Sequence, residues 1–159
     1  FGSQRLHDFV SDPSVRLHGV GYTHEIPIIA SIDNFVSVNA CMQVDLYGQV
    51  VADNIGGRQI SAPGGYNDFQ RGARLSNGGK SIVLMTAASA DGSNSNIILR
   101  MAEGGVITGM RADTDYIVTD YGVAELRHKD VNEKAAALIA VAAPAFRDEL
   151  EREWRASKR

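Results

Sequence analysis

The chain has 159 residues, 44% apolar and 22% charged, with a formal net charge of −3, the profile of one globular domain that buries roughly 68–70% of its unfolded surface. That charge argues against a general nucleic-acid binder, and the basic groups Arg71/Arg74 and Arg155/Lys158/Arg159 read first as solvated surface. The single cysteine, Cys41, excludes an internal disulfide framework and fits a reducing, cytoplasmic compartment, while no apolar run reaches the ~20 residues of a membrane span and no signal-peptide pattern occurs.

The chain opens at Phe1 without an initiator Met, which reads as a fragment or a processed product. Residues 3–11 carry Leu6, Phe9 and Val10 at helical spacing, and Ser11, Asp12 and Pro13 stop that helix. Val15 to Val20 reads as a strand ended by Gly21. IPIIASI after Glu25 fits a short helix with Pro27 in its first turn.

Residues 35–46 alternate strictly. Val36, Val38, Ala40, Met42, Val44 and Leu46 fall on one face, and Ser37, Asn39, Cys41, Gln43 and Asp45 on the other. Period two predicts β-structure with one apolar face. Tyr47-Gly48 then turns the chain, and Gln49 to Ala52 pairs back as a hairpin. A glycine-punctuated stretch follows (Gly56, Gly57, Pro63, Gly64, Gly65). Beyond it, a helix is expected from Asn67 through Arg74, with Asn67 or Asp68 near its N-cap.

Lys80 to Met85 is a short apolar run of the kind found in buried parallel strands. Residues 87–95 form a polar loop. Asn96–Arg100 and Asp115–Thr119 are further strand candidates. Asp130 caps a helix over Val131–Ala142, with Ala135, Leu138, Ile139 and Ala142 as its stripe. Pro144 starts a last helix to about Ala156, with Phe146, Leu150 and Trp154 on one side. Strands alternating with helices and glycine turns indicate an α/β domain with an open, largely parallel sheet flanked by helices and a β-hairpin near residues 35–52. Such sheets bind ligands beyond the carboxyl ends of their strands. The four histidines have no metal-ligand spacing, so no metal is expected.

The segments DLYGQV, GGYNDFQRGA and VTDYGVAELR, in this order and spacing, together with VNACMQ, GGKSIVL and EKAAALIAVAAPAFRDEL, resemble the acetyl-CoA hydrolase/transferase family. The resemblance runs from about Arg5 to Leu150. It implies the CoA-transferase (NagB-like) fold type and the C-terminal domain of an enzyme whose N-terminal partner domain is absent from residues 1–159. It also implies a mechanism in which a glutamate attacks an acyl-CoA thioester and CoA returns to give a glutamyl-CoA thioester, which a second carboxylic acid then takes over. The substrates are acyl-CoA and a small carboxylic acid, no cofactor is covalently bound, and a homo-oligomer is expected. That glutamate falls upstream of the stretch matching Phe1 to Asp12. Glu25, in YTHEIP, matches a different loop and is not taken as the nucleophile.

On the same resemblance, Gly65 matches a backbone donor to the thioester oxygen, with Gly64 beside it; the plain alternative is a tight turn that needs positive φ. His24 stands where relatives place an acyl-positioning asparagine, and otherwise is a structural or surface histidine. Asp120 matches an active-site glutamate of the TE-x-G type, one methylene shorter, or is a turn aspartate before Gly122. Arg71 and Arg74 meet CoA phosphates, or Arg71 pairs locally with Asp68. Asn39 holds neighbouring loops, and Cys41 is a structural thiol. Three functions follow: a CoA-transferase, a hydrolase in which water replaces the acceptor acid, and, for the isolated chain, a non-catalytic CoA-pocket module.

Overall fold

The computed structural model describes residues 2–158; Phe1, and Arg159 of the basic C-terminal cluster, lie outside the described residues. The first helix, α1 (Gln4–Phe9), forms where its apolar spacing places it, and the Ser3 hydroxyl accepts the Leu6 N–H at 3.3 Å. None of its residues is buried. The strand expected over Val15–Val20 does not form: residues 15–19 are irregular, and Val20–Thr23 makes a short helix, α2. A strand needs a neighbour to take its N–H and C=O groups, and this exposed run has none. α3 (Ile26–Ala30) follows with Pro27 in its first turn and Ile29 buried.

The alternating stretch makes two strands rather than one. β1 (Val36–Ala40) and β2 (Gln43–Asp45) part at Cys41–Met42 and join different sheets. β3 (Val50–Val51) pairs antiparallel with β2 around Gly48, whose φ of +87° suits a residue without Cβ. A small second hairpin, β4 (Asn54–Ile55) with β5 (Arg58–Gln59), occupies the first glycine pair. α4 (Tyr66–Leu75) begins at Gly65, with no side-chain cap, rather than at Asn67 or Asp68. β6 (Lys80–Leu84), β7 (Ile97–Ile98) and β8 (Tyr116–Thr119) fall on the three apolar runs. β9 (Gly122–Glu125) has no counterpart in the sequence reading; it forms by folding back on β8, Ala124 opposite Ile117. α5 (Val131–Ala140) carries a full capping box, Asp130 with Glu133, and α6 (Pro144–Ala156) buries Leu150 and Trp154.

The main sheet has the order β1-β6-β8-β9. β1, β6 and β8 are parallel and β9 is antiparallel. A second sheet, β3-β2-β7, continues the core through Val44, Leu46, Val50 and Ile97, all fully buried. α4 and α5 cover the main-sheet face that carries Ser37, Ser81, Val83, Ile117 and Ala124. Ser81 is satisfied there by donating to Gln70 Oε1 at 2.8 Å. The apolar face assigned to β1 is therefore reversed: Ser37 points inward while Val36 and Val38 are exposed. Alternation fixes that two faces differ, but the side on which helices pack decides which one is inside.

α4 ends at Leu75 and β6 starts at Lys80, so the helix runs antiparallel to the strand it packs on. Its N-terminus thus lies at the carboxyl end of the parallel strands. α3 approaches α4 closely because position 72 is glycine; a Cβ there would sit 2.5 Å from the Ile29 Cγ2. That close packing carries the preceding residue pair, Thr23 and His24, toward the start of α4.

Candidate active site

The site is built around the turn Pro63-Gly64-Gly65 that opens α4. Gly64 has φ +57°, is exposed, and has no atom within 4 Å of where a Cβ would stand. Its requirement for glycine is conformational. Gly65 differs. It is the N-cap with φ −83°, a value any residue adopts, but its Cβ would lie 2.5 Å from His24 Cδ2 and Nε2 and 2.9 Å from Phe69 Cδ2. Its requirement is steric: bare backbone is pressed against an imidazole.

The imidazole is held on three sides. The Thr23 hydroxyl and His24 Nδ1 share a hydrogen bond of 2.9 Å. The ring meets Phe69 edge-on at 4.8 Å, and Gly65 closes the third side. Gly65 and Phe69 are one helical turn apart and so share a face. That spacing is the sequence signal for Phe69, which the sequence reading passed over.

At the start of α4 the Tyr66 N–H bonds Pro63 O at 3.2 Å and the Phe69 N–H bonds Gly65 O at 3.0 Å. Among the described residues nothing in the chain accepts the N–H groups of Gly65, Asn67 or Asp68. A helix start with free N–H groups and no capping side chain favours negative charge on a nearby group. Asp68, in the same turn, works against it. Tyr66 anchors the turn. Its ring packs on Gly109, where a Cβ would be 2.6 Å from Tyr66 Cε1, and among the described residues its buried hydroxyl has no hydrogen-bond partner. Burial pushes that phenol up, with Cys41 as the next contribution.

Cys41 follows β1 and directs its thiol at Met85 Sδ, 3.6 Å away; burial pushes it up to about 12. A thiol so protonated is a poor nucleophile, in keeping with a structural role. Asn39 donates to Ser37 Oγ at 2.9 Å, on its own strand rather than to the neighbouring loops.

Asp120 sits on the exposed turn from β8 to β9. Among the described residues its carboxylate accepts only the Ala87 N–H, at 3.5 Å. It shares the carboxyl end of the parallel strands with Gly65, on a separate loop. Arg71 and Arg74 point elsewhere. Arg71 reaches Asp113 at 3.2 Å instead of pairing with Asp68, and Arg74 lies 3.7 Å from Asp113 and 3.6 Å from Asp115. Asp115 precedes β8 and is also met by Arg127 at 3.6 Å. The two arginines thus brace α4 against the strand beginnings, away from the glycine turn. The structure brings together Gly64, Gly65 and His24, and not Asp120, Arg71 or Arg74. Among the described residues, no three His, Cys, Asp or Glu side chains are grouped to hold a metal, and no helix is long and apolar enough to cross a membrane.

Comparison with known proteins gives a consistent result. A family description, acetyl-CoA hydrolase/transferase C-terminal domain, matches residues 2–154. The chain is 43% identical over 155 residues to the 4-hydroxybutyrate coenzyme A transferase of Clostridium kluyveri, covering 97% of this chain and 36% of that protein. It is 42% identical over 153 residues to the butyryl-CoA:acetate CoA-transferase of Anaerostipes caccae, covering 94% of this chain and 34% of that protein. The crystal structure of RipA from Yersinia pestis superposes with a TM-score of 0.91 at 39% identity, over 99% of this chain and 36% of that one. The chain therefore spans about a third of the length of the curated relatives it matches.

Proposed function

The chain belongs to the acetyl-CoA hydrolase/transferase family, as its C-terminal domain, and we propose that within a longer protein it forms the glycine-turn half of a site that moves coenzyme A from an acyl-CoA to a carboxylic acid. The observation that carries this reading is the contact of Gly65 with the His24 ring beside unused backbone N–H groups.

The chemistry needs a carboxylate from the part of the protein outside this chain. That carboxylate attacks the thioester carbonyl carbon, and the π pair moves onto oxygen. Collapse of the tetrahedral species expels CoA thiolate and leaves a mixed anhydride. The thiolate then attacks the glutamyl carbonyl, releasing the first acid as its carboxylate and forming a glutamyl-CoA thioester. The acceptor carboxylate runs the same steps in reverse. Each step builds negative charge on a carbonyl oxygen. The Gly65 N–H and the α4 N-terminus supply fixed donors for it, and the lack of a Cβ at position 65 lets the His24 ring stand directly beside them. Thr23 and His24 Nδ1 share a hydrogen bond, and in the tautomer in which the Thr23 hydroxyl donates, the Nε2–H beside Gly65 is a further donor. Asp120 lies on a separate loop at the same end of the strands, bonded to the Ala87 N–H, and takes no part in this donor set. A homo-oligomeric, cytoplasmic protein belongs to the same reading; CoA phosphates are met by residues other than Arg71 and Arg74, which are engaged by Asp113 and Asp115.

The test is exchange of labelled acetate, butyrate or succinate into acyl-CoA by the longer protein. Gly65→Val is expected to lower kcat/KM by at least about tenfold, because its side chain displaces the His24 ring and crowds the N–H groups at the start of α4. An unchanged rate refutes the reading, and turnover by the isolated chain refutes an external nucleophile. CoA release without any acceptor acid would favour the hydrolase.

A further inference from the structure

The glycine turn has little of its own to hold it. Ser61, Ala62, Pro63 and Gly64 are exposed. Among the described residues, the one main-chain hydrogen bond closed inside the turn runs from the Tyr66 N–H to Pro63 O. Its position is therefore set at its two ends. Upstream, Asp53 O accepts the Ile60 N–H at 2.8 Å and the Ser61 N–H at 3.2 Å. Gln59 Nε2 adds a brace there, donating to Asp53 Oδ2 at 3.0 Å and to Ser61 O at 2.5 Å. Downstream, the chain is fixed by the buried Tyr66 ring.

Both ends rest on one dipeptide from a distant loop, Thr108-Gly109. The Thr108 hydroxyl donates to Asp53 Oδ1 at 2.5 Å and accepts the Ala52 N–H at 2.8 Å. Gly109 lies against Tyr66: a Cβ there would be 2.6 Å from the ring Cε1 and 2.9 Å from the hydroxyl oxygen. The dipeptide is itself pinned to β3. Val50 O accepts both of its N–H groups at 2.9 Å, and the Val50 N–H donates to Gly109 O at 3.0 Å. Thr108 and Gly109 are buried, whereas Ile107 and Met110 on either side of them are exposed. The Thr108 hydroxyl does most to hold the Asp53 carboxyl below the usual carboxylate range, so Asp53 is an ionised acceptor at neutral pH. Hydrogen bonds to an ionised acceptor are about twice as strong as neutral ones.

We propose that Thr108 is a positioning residue for the glycine turn. Through Asp53 it fixes the segment that enters the turn, while its neighbour Gly109 seats Tyr66, where the chain leaves it. The proposal rests on reading that turn as the donor of charge stabilisation to the thioester oxygen. Donors work only when held where the charge develops, and a misplacement of ~1 Å costs on the order of 10²-fold. Thr108 touches no reacting atom. Its loss loosens the turn without removing a donor, which slows turnover and leaves ground-state binding of acyl-CoA in place.

Three variants of the longer protein test this. Thr108→Val removes the hydroxyl and keeps the branched shape, Thr108→Ser keeps the hydroxyl, and Asp130→Ala weakens the cap of another helix, α5, as a stability control. Thr108→Val should lower kcat for acyl-CoA/carboxylate exchange by at least about tenfold, with KM for acyl-CoA changed by less than about twofold. It should also speed hydrogen exchange at the amides of residues 60–66. Thr108→Ser should recover most of both, and Asp130→Ala should change neither. An unchanged kcat in Thr108→Val, a loss carried by KM, or an equal fall in Asp130→Ala overturns the proposal. Should Thr108→Val not fold, Gly109→Ala takes its place. It pushes on Tyr66 and leaves the Asp53 bond intact, and an unchanged kcat there overturns the proposal equally. Gly65→Val is assayed alongside. Full exchange in that variant removes the proposed function and the role built on it, whereas a slow Gly65→Val beside an unaffected Thr108→Val removes only the role of Thr108.

Discussion

Adding a single methyl group at Gly65 tests the geometry of the candidate site without any substrate. In Gly65→Ala the backbone is untroubled, since φ is −83°. The new Cβ meets His24 at 2.5 Å and Phe69 at 2.9 Å. Returning to the ~3.5–4.0 Å optimum of carbon contacts moves the imidazole by about 1 Å or more. That shift strains the 2.9 Å Thr23 bond and opens the 4.8 Å edge contact with Phe69. Overpacking costs about 1–3 kcal/mol in a rigid core. His24 caps the C-terminus of a four-residue surface helix and yields more easily, so about 1 kcal/mol is expected, a fall in Tm of about 2–4 °C for a chain of this size. In a His24→Ala background the same Gly65→Ala change should lose at least half of that cost, because Phe69 can relax into the vacated space. Urea denaturation of the four proteins, followed by circular dichroism, gives the coupling energy. Equal costs in both backgrounds would mean that the imidazole does not rest on Gly65, and the proposed oxyanion arrangement would fall with it.

The Cys41 thiol lies in the folded chain at about 12, well above its unfolded value near ~8.5. Its folded pKa being raised, the stability it contributes is complete below the unfolded pKa and is lost as pH climbs toward the folded one. Native protein at pH 8 should therefore alkylate with iodoacetamide on the order of 10³-fold more slowly than urea-unfolded protein, and stability should decline between about pH 8.5 and 12 less steeply in Cys41→Ala. Equal alkylation rates would contradict the burial. Asp130 accepts the Asn132 N–H at 2.7 Å and the Glu133 N–H at 2.9 Å, while its own N–H donates to Glu133 Oε2 at 2.8 Å. Asp130→Ala should cost about 1 kcal/mol by chemical denaturation; a loss below a few tenths would show that α5 holds through its packing alone.

The sequence by itself determined the local elements and the family. Pro27, Asp130 and Pro144 mark helix starts that the structure keeps, because capping and proline geometry act within one turn. The apolar runs at residues 80–85, 96–100 and 115–119 are strands, since short buried runs bounded by glycine and polar residues have few alternatives. The turn Gly64-Gly65 and its neighbour His24 were legible only through the family resemblance, as nothing in their spacing says that they meet. What the tertiary structure alone decided was partnership. It split the alternating stretch at Cys41–Met42, turned Val15–Val20 away from β-structure, and sent Arg71 to Asp113 rather than Asp68. It also put Ser37 inside and Val38 outside. Periodicity records that two faces differ, but which face is buried, and which charge a guanidinium finds, depends on groups far away in the chain that only folding brings near.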